Sequence, residues 1–166
     1  MNRRTYLSVV ASGITGSIAG CAVRTDRTAP RPLGAVTHRD NIAMTVEEVQ
    51  VMDTLEGRGE RAEPSSGDGF ALVRFWAENL VDSRRYLPDV SPMILTLDGT
   101  DYAYESAEAF DVLERRYTGG PVEPGVLRHG YVPFEIDDAS VTEPVTFRIP
   151  PEAGEFSDAV SWSSPS

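Results

Sequence analysis

Side chains suited to chemistry are few in this chain of 166 residues: one thiol, Cys21, and two imidazoles, His38 and His129. A zinc centre needs three or four converging His, Cys or carboxylate ligands. Only His129 lies in the long C-terminal body, which argues against such a centre, and no metal or cofactor is expected. A Ser-His-Asp relay would have to use His129, yet Arg128-His129-Gly130-Tyr131 matches no nucleophile or base motif. A histidine on a strand or turn is the plainer reading. The carboxylate pairs Asp98 with Asp101 and Asp137 with Asp138 have the chemistry for weak calcium binding. In a chain with 26 acidic residues such neighbours are expected by chance, and a solvated acidic face is the plainer reading.

Cys21 calls for a different chemistry. It follows Arg3 and Arg4, an apolar stretch from Leu7 to Ala19 diluted by Ser, Thr and Gly, and two small residues, Ala19 and Gly20. The stretch is shorter than the ~20 apolar residues of a spanning helix. Its charged start and small-residue end describe an export signal instead. Arg3-Arg4-Thr5-Tyr6-Leu7 resembles the twin-arginine export motif, with Asn2 and Ser8 departing from its usual flanks. Ile18-Ala19-Gly20-Cys21 resembles a lipobox, in which a thioether carries lipid and small neighbours admit a peptidase. Residues 1–20 are then a removed signal, and the protein meets the outer face of the membrane through lipid on Cys21. A cysteine buried in an N-terminal helix is the alternative. The segment 21–41, with Pro30 and Pro32 and no apolar periodicity, reads as a lipidated, flexible tether.

Charge separates tether from body. All 15 basic residues are arginine, and from Ile42 onward nine of them face 24 acids, a net −15. Such a body repels itself in dilute buffer, and at about 1 M salt a ~3 Å screening length removes most of the repulsion. Acid-rich, lysine-free composition resembles that of salt-loving archaea. A nucleic-acid partner is disfavoured, since the body lacks a basic stripe.

The elements that would position any site are strands. In the body, 42–166, apolar residues alternate with period two. Ile42, Met44 and Val46 share a face, which Val49 and Val51 continue after a one-residue slip at Glu47-Glu48, the sign of a β-bulge. Residues 56–69 read as a polar, Gly-rich loop. Residues 70–80 are the strongest strand, with Ala71, Val73, Phe75 and Ala77 on one side and Trp76 half exposed on the other. Asp98-Gly99 separates two alternating runs and predicts a tight hairpin. Residues 126–136 and 144–149 add two strands, with Pro133 at an edge or bulge. One helix is expected after Ser106, ending near Arg115-Arg116, with Phe110, Leu113 and Tyr117 on its apolar face. A last short strand around Val160 and Trp162 should fray into the final residues.

Six to eight short strands at this spacing predict an all-β, antiparallel β-sandwich with one short helix in a long connection. The strand ending in Asn79, the Asp98-Gly99 hairpin, and Pro124-Gly125 before the run Gly130–Ile136 resemble the extracellular immunoglobulin-like domains of unknown function on many prokaryotic lipoproteins. That resemblance spans 42–150 and implies a surface domain for binding or structure, with no catalytic residues. The expected activity is therefore non-catalytic binding to an unknown surface protein or to the envelope. An accessory subunit of a transporter or surface assembly is the second reading, and a hydrolase is the third. Trp76, Tyr102, Tyr104 and Tyr131 are candidates for a recognition patch on one sheet, or else for core and edge cover.

Overall fold

The computed structural model describes residues 29–140, 143–154 and 156–164. Its strands in chain order are β1 (Arg31–Pro32), β2 (Thr37–Arg39), β3 (Ile42–Met52), β4 (Leu55–Gly57), β5 (Glu60–Ala62), β6 (Gly69–Asn79), β7 (Arg85–Leu87), β8 (Ile94–Leu97), β9 (Thr100–Ala103), β10 (Gly120–Val122), β11 (Leu127–Ile136), β12 (Val145–Ile149) and β13 (Val160–Ser163). One sheet runs β11-β6-β3-β2 and the other β1-β13-β12-β8-β9. Of the seven main strands, the first, second and fifth (β3, β6, β11) lie together, and the rest (β8, β9, β12, β13) form the facing sheet. That Greek-key arrangement is an immunoglobulin-like sandwich. It is not wholly antiparallel, because β1 runs parallel to β13.

Period-two alternation builds the sandwich from β6 outward. Ala71, Val73, Phe75 and Ala77 are fully buried, and they meet Leu95, Phe147 and Trp162 of the facing sheet within one apolar cluster. Phe75 packs edge-on to Tyr117, with ring centroids 4.7 Å apart, and also against Phe147 and Trp162. The expected slip in β3 is present: register shifts between Val46 and Glu48, after which Val49 and Val51 return to the core side. At Asp98-Gly99 both residues have positive φ (45° and 80°), which joins β8 to β9 by a two-residue turn. Pro133 lies on an edge strand, since β11 pairs on one side only with β6. The N–H of Tyr131 points away from β6, to the carbonyl of Arg115. By alternation the proline nitrogen faces the same way, where the ladder needs no donor.

Two buried residues explain short motifs seen in the sequence. Asn79, fully buried, donates to the carbonyls of Ser83 (2.7 Å) and Glu123 (3.2 Å) and accepts from the N–H of Val81 (3.2 Å), so it fastens two turns to the end of β6. Gly130 lies where residues 115–117 cross β11; a Cβ there would come within 2.5 Å of the Tyr117 nitrogen.

Three expectations are corrected. The segment 31–41 is part of the domain instead of a flexible tether. β1 pairs with β13, β2 pairs with β3, and the carbonyl of Ala35 accepts from the buried indole of Trp162 (2.8 Å) and from Thr45 (2.9 Å). Core donors need an acceptor, and the N-terminal segment supplies it. The expected helix is a single 3-10 turn, Glu108–Val112, with Ala107 at its N-cap and no side-chain cap. Phe110 and Leu113 enter a second apolar cluster while Tyr117 enters the main core, so one helical face could not serve all three. The polar stretch after Met52 holds a small hairpin, β4–β5, anchored by buried Leu55 and turned at Arg58-Gly59 with positive φ. Phe75→Ala should lower stability by about 3–5 kcal/mol, read as a shift of the urea midpoint in molar KCl. A change below about 1 kcal/mol would show that Phe75 does not centre this core.

Candidate functional site

Cys21, Arg3 and Arg4 lie outside the described residues. Of the four aromatic candidates, alternation divides the set instead of gathering it. Trp76 and Tyr131 lie on the outer face of the β11-β6-β3-β2 sheet, where Trp76 is half-buried opposite Thr45 and His129. Tyr102, opposite Leu95 on β9, packs toward the main core. Tyr104 follows β9 and sets its ring 6.3 Å from both Phe110 and Phe134. A single aromatic patch on one sheet is therefore not formed. Tyr131 and Tyr104 instead cover the second apolar cluster of Leu55, Phe70, Leu72 and Phe110.

The outer face of the same sheet carries a charged cluster that the sequence does not announce. The bulge sets Glu47 and Glu48 side by side, and both reach Arg74, at 2.8 and 3.5 Å. His129 Nε2 lies 3.1 Å from Glu47 Oε2 and 3.1 Å from Arg74 Nε. Arg74 Nε can only donate and Glu47 can only accept, so the ring nitrogen bonds one or the other according to its tautomer. The arrangement is an ion-pair network on a half-exposed sheet face, with the imidazole held by its neighbours.

A concavity lies elsewhere on the sandwich. A groove of about 900 Å³ runs between β9, the segment 105–109 and residues 62–66, and reaches Glu135 on β11. Its walls carry five carboxylates, Glu63, Asp101, Glu105, Glu108 and Glu135, and no basic side chain. Three of the five are held by neighbours. Glu63 pairs with Arg61 Nε at 3.0 Å. Asp101 accepts from the Thr96 hydroxyl at 2.6 Å. Glu135 accepts from the backbone N–H and hydroxyl of both Ser65 and Ser66 at 2.8–3.1 Å. Burial alone would raise the Glu135 carboxyl, but these four donors outweigh it and hold the group below the ordinary glutamate value. A smaller hollow of about 450 Å³, lined by Met52, Leu72, Leu113 and Tyr131 among others, lies beside the β4–β5 hairpin.

Buried polar chemistry is otherwise structural. The Tyr117 hydroxyl donates to the carbonyl of Pro88 (3.1 Å) inside the main core, and burial pushes its phenol well above the ordinary range. At the surface, Asp138 accepts from the backbone and hydroxyl of Ser140 (2.8 and 2.6 Å).

The Ser65–Ser66 cradle sets a pH dependence. Because folding lowers the Glu135 pKa, its carboxylate favours the native state at neutral pH. That contribution fades as pH falls from the ordinary carboxylate range through the lowered value. Glu135→Gln should therefore melt below the parent at pH 7, and the gap should narrow steadily as pH falls below the ordinary glutamate range. Thermal melts across that range in molar KCl would reveal it. A gap independent of pH would show that the cradle does not bind the ionised form.

No protein-family model and no curated protein matches the chain. Solved structures do. The yjhA protein of Bacillus subtilis aligns over 81% of this chain and 99% of its own at 13% identity, with a TM-score of 0.59. MPT63, a secreted protein of Mycobacterium tuberculosis, aligns over 84% and 99% at 15% identity, with a TM-score of 0.55. A lipoprotein candidate of Bacillus subtilis, ycdA, aligns over 77% of this chain but only 37% of its own, at 14% identity and a TM-score of 0.53. At these identities the likeness is one of fold, and the chain is an all-β sandwich of the kind these proteins share.

Proposed function

We propose that this chain is a lipid-anchored cell-surface protein whose immunoglobulin-like sandwich binds a partner and catalyses no reaction. The observation that carries binding is the placement of the 900 Å³ groove along the edge strand of a sheet. A groove beside a strand edge suits recognition of an extended chain. His129, by contrast, sits in an ion-pair network on a sheet face and lines neither of the two concavities. Export by the twin-arginine route, lipid on Cys21 and a high-salt exterior complete the reading, supported by Arg3-Arg4, by Ile18-Ala19-Gly20-Cys21 and by the lysine-free acidic body.

The short lead into the domain favours a second reading, an accessory role beside a membrane assembly. With β1 starting at Arg31, only nine residues, Ala22–Pro30, separate it from Cys21. At 3.3–3.6 Å per residue the span is at most about 35 Å. A domain held that close to the lipid meets partners in or on the same membrane.

Cys21→Ala tests the anchor. The variant should move from the membrane fraction to the medium, as read by immunoblot after detergent-free washing in molar salt, because lipid supplies the stable attachment. Retention of the variant on washed membranes would contradict lipid anchoring through Cys21.

A further inference from the structure

Strand β9 ends its sheet, and among the described residues no strand pairs with its outer edge. Register shows which backbone groups that edge presents. A two-residue turn makes Leu97 and Thr100 a hydrogen-bonded pair, and such pairs alternate with non-bonded ones along an antiparallel ladder. Leu95–Tyr102 is then bonded again, whereas Asp101 and Ala103 turn their N–H and C=O groups away from β8. The next bonded position agrees, with the N–H of Tyr104 donating to the carbonyl of Met93.

Native edges are commonly blunted by charge, proline or cover. On this side of the sandwich, β11 carries Pro133 at its outer edge, and residues 115–117 cover its first half. On β9 the one charged side chain, Asp101, is tied back to Thr96 on its own sheet, which leaves the backbone edge clear. The groove lies beside this edge, and its side chains carry one sign of charge.

We propose that β9 takes an extended, arginine- or lysine-bearing segment of a partner protein as an added strand, seated in the acid-lined groove. Main-chain bonds to Asp101 and Ala103 would supply pairing, and cationic side chains at alternate positions would meet Glu108 and Glu135, and Glu63 in place of its Arg61 partner. A second copy of this body is the wrong occupant, because pairing β9 with another β9 would set the carboxylates of two like grooves against each other at contact distance, where salt screens least. The proposal rests on the binding reading above and names its site and the partner's chemistry.

The test uses the full chain in detergent and three fluorescent ten-residue peptides. One alternates Arg and Thr, one is the same peptide N-methylated at every second residue, and one alternates Glu and Thr. Anisotropy is read at low and at molar salt. The Arg-Thr peptide should bind, the N-methylated peptide at least tenfold more weakly, and the Glu-Thr peptide not at all. Ala103→Pro removes an outward donor without touching a β8 bond and should weaken the Arg-Thr peptide by a similar factor. Glu63→Gln with Glu135→Gln should weaken it while leaving the N-methylation effect in place. Equal binding of the N-methylated peptide, or full displacement by spermine, would reduce the site to bulk charge attraction and overturn strand addition. So would absence of binding, or dimerisation of the chain that Ala103→Pro abolishes. If the peptides fail while membrane retention still depends on Cys21, strand addition falls and the anchored-domain reading stands.

Discussion

Strand β6 is the constraint to which the rest of the molecule answers. It pairs along almost its whole length with β3 on one side and β11 on the other. Over its first half it carries buried apolar side chains on both faces, Phe70 and Leu72 outward against Ala71 and Val73 inward. Burying one face calls for the opposing sheet; burying the other calls for a second cover. The β4–β5 hairpin and the 3-10 turn provide that cover through Leu55, Phe110, Val112 and Leu113. The molecule thus has a main core between its sheets and a smaller one behind them, and the price of the second is a long connection between β9 and β10.

That connection shapes the two sides of the sandwich differently. On one side the N-terminal segment joins the sheets: the N–H of Leu33 bonds to Ser163 in one sheet, and that of Gly34 to Val46 in the other. On the opposite side the chain leaves β9, crosses behind the sheet as the 3-10 turn, and returns over β11 at Gly130. The seam there stays open beside β9 and is lined by carboxylates. Closure at one seam and openness at the other follow from how β6 is covered, and the proposed recognition mode follows from the open seam.

Much of this was legible in residue order because it depends on local alternation. The faces of β3 and β6, the bulge at Glu47-Glu48, the hairpin at Asp98-Gly99, the edge position of Pro133 and the last strand at Val160–Trp162 each follow from neighbours a few residues apart. What escaped depends on distant partners. Arg31–Pro32 has no strand pattern of its own and is ordered by parallel pairing with Trp162–Ser163. Phe110, Leu113 and Tyr117 have helical spacing, yet they serve two separate cores. The four aromatic candidates are divided by faces and sheets whose assignment needs the topology. The Glu135 cradle joins residues about seventy positions apart, and only its Ser65-Ser66 pair, a run of two donors in a polar stretch, hinted at it.

The central claim is that the sandwich is shut at one seam and open along β9. Amide hydrogen exchange on the intact chain, resolved by residue, tests it most directly. The account predicts that the amides of Thr100 and Tyr102 are protected through their pairing with β8, and that those of β6 exchange slowest of all. The amides of Asp101 and Ala103, in the same short strand, should exchange at rates close to those of an unstructured chain. Protection of Asp101 and Ala103 equal to that of Tyr102 would mean that the edge is already covered, and would contradict the account.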